Sequence, residues 1–157
     1  MIPIGLISDT HGLLRPAAPG YLRGTHHNYA GDICIAHVLP ALSSIARLTA
    51  ARGNNALGER AEPLREVEQV TLGKVLIRVL HDVSQEDASG LTGASMMVTG
   101  HSHNPSITRK GKVPYVNPGS ADPPRFALPI SMGELLIDSA RVTARTAVLR
   151  PPSIRFV

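Results

Sequence analysis

Asp9 and His11 stand two residues apart, and His101 and His103 repeat that spacing. Along an extended segment, residues i and i+2 point to the same side. Each pair can therefore aim two donors at one ion. Three more fragments lie between them: Gly31-Asp32, Gly53-Asn54-Asn55 and Leu80-His81. The set Asp9, His11, Asp32, Asn54, His81, His101 and His103 offers carboxylate oxygen, amide oxygen and imidazole nitrogen. Such donors suit two adjacent divalent metal ions. A carboxylate can bridge two ions, whereas an asparagine carbonyl is neutral and leaves net positive charge on the pair. That charge favours a bound phosphate. Glycine precedes Asp32, Asn54 and His101, allowing close backbone approach, and Gly100 lets the chain turn sharply before its histidines.

Each fragment alone has a plainer explanation. Asp9-Thr10-His11 can be a polar loop, Gly31-Asp32 an ordinary turn, and Gly53-Asn54-Asn55 a turn with positive φ. His81 can be a hydrogen-bonded histidine at a strand end, and even Gly100-His101-Ser102-His103 can be structural. Five such fragments in order, each after a predicted strand, are better explained together. Strand-ending ligands are how an α/β sheet builds a site along one edge.

The elements that must position them follow from the hydrophobic pattern. Ile2 to Ser8 reads as a central parallel strand. Pro16 and Pro19 keep any helix within 13–22 short. Residues 25–30 should form a second strand, although Thr-His-His-Asn-Tyr-Ala is polar for one. Residues 38–46 read as a helix with Val38, Leu39, Leu42, Ile45 and Ala46 on one face, and Pro40 in its first turn. Residues 48–52 lead as a third strand to Gly53. Hairpins are expected at Gly73-Lys74, between strands 66–72 and 75–80, and at Gly111-Lys112, between 106–110 and 113–116. Residues 84–91 read as a short helix capped by Ser84. Residues 95–99, 133–137 and 142–149 complete the strands, and Pro151-Pro152 begins a tail. The first third alternates β and α, and the rest is largely antiparallel. That pattern predicts two mixed sheets packed face to face with helices outside.

At 157 residues the chain is most simply one domain, residues 1–157, large enough to bury a core without staples. Tryptophan is absent and aromatics are scarce, so the core should be built from Val, Leu, Ile and Ala. The formal charge of +4 can attract phosphate-bearing substrates. Nucleic acid is not indicated, because the basic residues are scattered and aromatic stacking platforms are lacking. The lone Cys34 permits no internal disulfide. The N-terminus runs straight into Asp9 without a basic leader, and no apolar run approaches membrane-spanning length. A cytoplasmic protein without a membrane partner is the expectation.

With these fragments in hand, the chain resembles the calcineurin-like metallophosphoesterases, in particular their small bacterial and archaeal phosphodiesterase branch. The family signature runs D-x-H, GD, GN-x-[D/E], H, GH-x-H. It is matched here by Asp9-Thr10-His11, Gly31-Asp32, Gly53-Asn54-Asn55-Ala56, His81 and Gly100-His101-Ser102-His103. Asn117-Pro118-Gly119-Ser120 is similar to that branch's downstream loop. The resemblance spans Ile4 to about Asp138. It implies an α/β fold, a four-layer α/β/β/α sandwich of two mixed sheets flanked by helices. It implies one metal on Asp9, His11, Asp32 and His103, and another on Asp32, Asn54, His81 and His101, with Asp32 bridging. Manganese is the family's common metal; iron, nickel, cobalt or zinc would also fit. The implied chemistry is attack on a small phosphoester by a hydroxide held between the ions. Relatives often form dimers or tetramers, so a homo-oligomer is compatible with the resemblance.

Two departures stand out. Many relatives place a histidine after the metal-binding asparagine, where it helps protonate the leaving group. This chain has Asn55 there, and Ala56 replaces the acidic residue. Asn54, Asn55 and His81 are the candidate catalytic residues, yet Asn55 is no general acid near pH 7. Good substrates should then be esters with acidic leaving groups, such as aryl phosphodiesters. Relatives also carry an apolar second strand ending His-x-Gly-Asp, where Tyr29 replaces the histidine. Two alternatives remain: a non-catalytic protein-binding scaffold, as in the retromer subunit of this fold, and a phosphomonoesterase. His26, His27, His37 with Cys34, and Arg125 have simpler surface or structural readings. Ser120 sits in a loop that could contact phosphate or simply form a turn.

Overall fold

The computed structural model describes residues 1–22, 24, 26–30, 37–54, 64–86, 93–122 and 124–149, with the side chains of 27–30 excepted. Two five-stranded sheets form the molecule. The first contains β1 (Ile2–Ile7), β2 (His26–Ala30), β3 (Leu48–Ala51), β9 (Ser131–Asp138) and β10 (Arg141–Val148), in the order β10-β9-β1-β2-β3. The second contains β4 (Val67–Leu72), β5 (Val75–Leu80), β6 (Met96–Val98), β7 (Ser106–Lys110) and β8 (Val113–Asn117), in the order β4-β5-β6-β8-β7. Both are mixed. β1, β2 and β3 run parallel, as do β5, β6 and β8, while β9, β10, β4 and β7 pair antiparallel. Both expected hairpins form, and the polar segment from His26 does pair as a strand between β1 and β3.

Alternation sorts the side chains. Ile4, Leu6, Val75, Ile77, Val79, Met96, Val98, Val116, Leu135 and Ile137 fill the space between the sheets. Each fully buried Ile, Leu or Val contributes roughly 1.5–3 kcal/mol relative to exposure. The opposite face of the first sheet buries Ile7, Ala50 and Met132 under α1 (Ala17–Leu22) and α2 (Val38–Ile45), through Ala18, Leu22, Val38 and Leu42. The outer face of the second sheet carries Leu80, Met97 and Tyr115. Three methionines and a tyrosine thus correct the expected Val/Leu/Ile/Ala core. Unbranched methionine fills the irregular gaps that scarce aromatics leave.

A 3₁₀ turn, Val83–Gln85, opens the segment expected as a helix. Its cap is Asp82, whose side chain accepts the Ser84 N–H, and not Ser84 itself. The remainder of that segment, residues 87–91, lies outside the described residues, as do Asp32, Cys34, Asn55, Ala56 and the tail from 150. No described helix is long and apolar enough to cross a membrane.

Candidate metal centre

Parallel strands in each sheet end at the same edge, and the ligand-bearing fragments follow those ends. Leu6 and Ile7 pair with Asn28 and Tyr29, which pair with Thr49 and Ala50. The chain therefore leaves β1 and β3, which flank β2, at the same edge of the sheet, at Asp9 and Gly53-Asn54. In the second sheet Val79 pairs with Val98 and Val98 with Val116. His81, Gly100 and Asn117 emerge from neighbouring strand ends, and the Gly100 N–H donates to the His81 carbonyl at 2.9 Å. The buried polar residues among those described are Ser8, Asp9, Thr10, His81, Thr99, His103, Asn117, Ser120, Asp122 and Ser131. All lie at this edge or are hydrogen-bonded into its loops. Burying polar groups costs free energy unless they are hydrogen-bonded, so such clustering marks a site rather than a core.

Asp9 is fully buried. Its Oδ1 lies 3.5 Å from His103 Nε2 and 3.8 Å from His81 Nε2. Its Oδ2 accepts the Ser8 hydroxyl and, at 3.2 Å, the His101 N–H. The Nε2 atoms of His11 and His103 are 3.3 Å apart, and their rings stack at 14°. One donor atom each from Asp9, His11 and His103 falls within 4.8 Å of the others. A divalent cation fits this group: two imidazoles and a carboxylate turn their donor atoms towards one small volume. His81 and His101 meet edge to face, 5.2 Å between centroids. His101 Nε2 lies 3.9 Å from Asp82. The Ser84 backbone hydrogen bond, ahead of the burial that opposes it, holds the Asp82 carboxyl below its ordinary range. Asp82 therefore stays anionic beside the histidines.

The local geometry corrects the expected one. Asp9, His11, His101 and His103 do not alternate along extended chain. They adopt left-handed backbone at φ 51°, 46°, 68° and 59°. In the second pair the turn lies at the histidines and not at Gly100. Two other described non-glycine residues have positive φ, Phe126 and Ser139, so the strained conformers concentrate here. Each costs roughly 1–2 kcal/mol and persists only where its surroundings over-determine it.

Those surroundings join Asn117 and Ser120, which the sequence marked, to Arg15 and Asp122, which it did not. Asn117 Nδ2 donates to the Gly100 carbonyl at 2.8 Å and to Ser102 Oγ at 3.0 Å, while its Oδ1 accepts the Gly119 N–H at 2.9 Å. Ser120 Oγ donates to the Asp9 carbonyl at 3.0 Å. Its hydroxyl is thus turned to the backbone of the ligand loop, as turn chemistry would have it. Arg15 donates to Asp122 at 2.8 Å, clamping the loop after Asp9 to the segment after Gly119. The Asn-Pro-Gly-Ser turn gave the sequence signal for Asn117 and Ser120 in this frame; Arg15 and Asp122 carried none.

The remaining candidates are placed as follows. Asn54 is exposed, three residues past β3, and no described hydrogen bond joins it to Asp9, His81 or His101. Asp32 and Asn55 lie outside the described residues. His26 is exposed and lines a separate cavity with Arg47 and Glu68.

Known proteins agree with this architecture. A probable metallophosphoesterase from Methanothermobacter thermautotrophicus is 30% identical over 154 residues, covering 90% of this chain and 89% of the relative. In fold, Vps29 from Chaetomium thermophilum superposes with a TM-score of 0.80 at 20% identity, over 97% of this chain and 89% of that one. YfcE, a phosphoesterase from E. coli, superposes with a TM-score of 0.65 at 24% identity, over 85% and 88%. Residues 2–140 match the family described as the calcineurin-like phosphoesterase superfamily domain. Two mixed sheets, ligand fragments in register at one edge and this family match agree: the chain is a member of the calcineurin-like phosphoesterase superfamily.

Proposed function

We propose that this protein is a metal-dependent phosphodiesterase acting on a small phosphoester through two adjacent divalent ions, manganese foremost. Asp9, His11, Asp32 and His103 would hold one ion, and Asp32, Asn54, His81 and His101 the other. The observation that carries the reading is the convergence of Asp9, His11 and His103 donors within 4.8 Å. When bound, such a pair neutralises phosphoryl oxygens and lowers the pKa of a water to near neutral.

The chain's own residues do the rest. Asp9 joins the two histidine pairs, because its two oxygens face His81 and His103 on one side and the His101 N–H on the other. Asn117 and Ser120 hold the two ligand loops in register. Asn55, next to Asn54, can donate a hydrogen bond to a leaving oxygen but cannot protonate it near pH 7. Esters of acidic alcohols should therefore react best. A single domain, a cytoplasmic location and a homo-oligomer belong to the same reading.

The test is hydrolysis of bis-p-nitrophenyl phosphate with added Mn²⁺, comparing the natural protein with Asp32→Ala. Unchanged activity in the variant would sink the assigned site. Ala56, where relatives carry an acidic residue, favours a non-catalytic scaffold instead. That reading requires no turnover with any divalent metal.

A further inference from the structure

A cavity of about 180 Å³ opens beside His101 on the outer face of the second sheet. Asp82 and His101 line its end at the site edge; Ser106, Thr108 and Lys110 line one wall, and Tyr115 forms part of its floor. It is smaller than the pockets that hold drug-sized ligands, so it suits one substituent rather than a whole substrate. The floor is rigid. Tyr115 is 4% exposed and donates its hydroxyl to Glu86 at 2.7 Å. Lys110 reaches back over that ring, its Nζ 5.0 Å from the centroid. Thr108 is the cross-strand partner of Tyr115, and Ser106 the partner of Asn117. Two residues of strand separate those rows, so the ammonium stands roughly 7 Å along the trough from the site edge. Among the described residues Lys110 has no carboxylate partner, whereas Arg15, Arg52 and Arg145 each have one. The wall thus presents a carboxylate near His101, then hydroxyls, then an unpaired cation on an aromatic face.

We propose that this cavity receives the second ester arm of the phosphodiester, and that Lys110 selects an arm ending in an anionic group. The assignment rests on the phosphodiesterase reading and extends it to substrate class. With the scissile phosphate at the histidines, the arm lies along Ser106 and Thr108. Its terminal carboxylate or phosphate meets the Lys110 ammonium.

The test compares p-nitrophenyl 3-carboxypropyl phosphate with its neutral counterpart, p-nitrophenyl butyl phosphate, both with added Mn²⁺. Lys110→Gln should lower kcat/KM about fivefold on the charged arm, the scale of an exposed ion pair, and leave the neutral ester within twofold. Equal losses on both esters, or no loss on either, would overturn the assignment while leaving the phosphodiesterase reading intact. Hydrolysis of neither ester by the natural protein would overturn that reading and this one with it. A readout independent of turnover is titration of the metal-free protein with 3-carboxypropyl phosphate, followed by amide shifts. Saturable shifts at Thr108 and Tyr115, lost in Lys110→Glu, support the site. Shifts that are absent, or that persist in the variant, count against it.

Discussion

The imidazoles of His11 and His103 stack with centroids 5.0 Å apart and Nε2 atoms 3.3 Å apart, although 92 residues separate them in the chain. Neither residue can be moved independently of the other, and Asp9 completes the same donor group. Metal binding should then be coupled to stability, since a ligand bound only to the folded state stabilises it by mass action. Mn²⁺ at 100 times its Kd should add about 2.7 kcal/mol to unfolding. Thermal melts with Mn²⁺ and after chelation measure this, and Asp9→Asn should abolish the difference.

Asn117 bridges Gly100, Ser102 and Gly119 from a site that is 5% exposed. In Asn117→Ala these partners lose their bonds, costing about 1–3 kcal/mol per group left buried and unpaired. Because the bridge orients the His101–His103 loop, metal affinity should fall about 10–100-fold. Mn²⁺ titration by calorimetry gives the affinity and denaturant unfolding gives the stability. A stability loss without an affinity loss would show that the loop keeps its shape alone.

Gly119 has φ +84°, and a Cβ there would sit 2.0 Å from Ser131 Oγ. Gly119→Ala should destabilise by about 2 kcal/mol or more through left-handed strain and the clash together. For a chain of this size that lowers Tm by about 4–8 °C. Adding Ser131→Gly should recover the clash component and leave the strain.

Tyr115 should titrate above an ordinary tyrosine. Burial, then its hydrogen bond to Glu86, raises its pKa to about 12. The folded value exceeds the unfolded one, near 10, so its contribution to stability is complete below pH 10. It is lost as pH rises towards 12. Ultraviolet absorbance of tyrosinate should show a component near pH 12 that Tyr115→Phe removes. The fall in unfolding midpoint between pH 10 and 12 should be shallower in that variant.

Leaving-group dependence should be steep. On the proposed phosphodiesterase reading, in which Asn55 replaces the usual proton donor, kcat/KM should drop as the pKa of the departing alcohol rises. Asn55→His should recover at least about tenfold on alkyl esters, less than the 10²–10⁴ of a well-positioned general acid. A flat profile in the natural protein would show that another group supplies the proton.

Most of the polar fragments could be read from sequence because they interrupt apolar runs, and apolar runs of strand length announce where a sheet edge must fall; Gly31-Asp32, after the polar segment 25–30, is the exception. The same logic located both hairpins and the helix at Val38–Ile45. Local chemistry was less legible. Ser84 and Asp82 both suit a cap, and only the backbone path shows that Asp82 accepts the bond. Period-two reasoning put Asp9 beside His11 by strand alternation, whereas left-handed backbone does it. A strained conformer leaves no mark in residue type unless glycine occupies it.

Sequence alone determined which side chains offer candidate metal donors and in what order along the chain they follow its strands, because hydrophobic period and residue type are local properties. Tertiary structure decided which donors meet. Stacking of His11 on His103 and the Asn117 bridge to Gly100 each join segments whose proximity depends on sheet order and register. Sheet order depends on how two apolar faces pack against each other, a property of the folded whole that no single stretch of chain encodes.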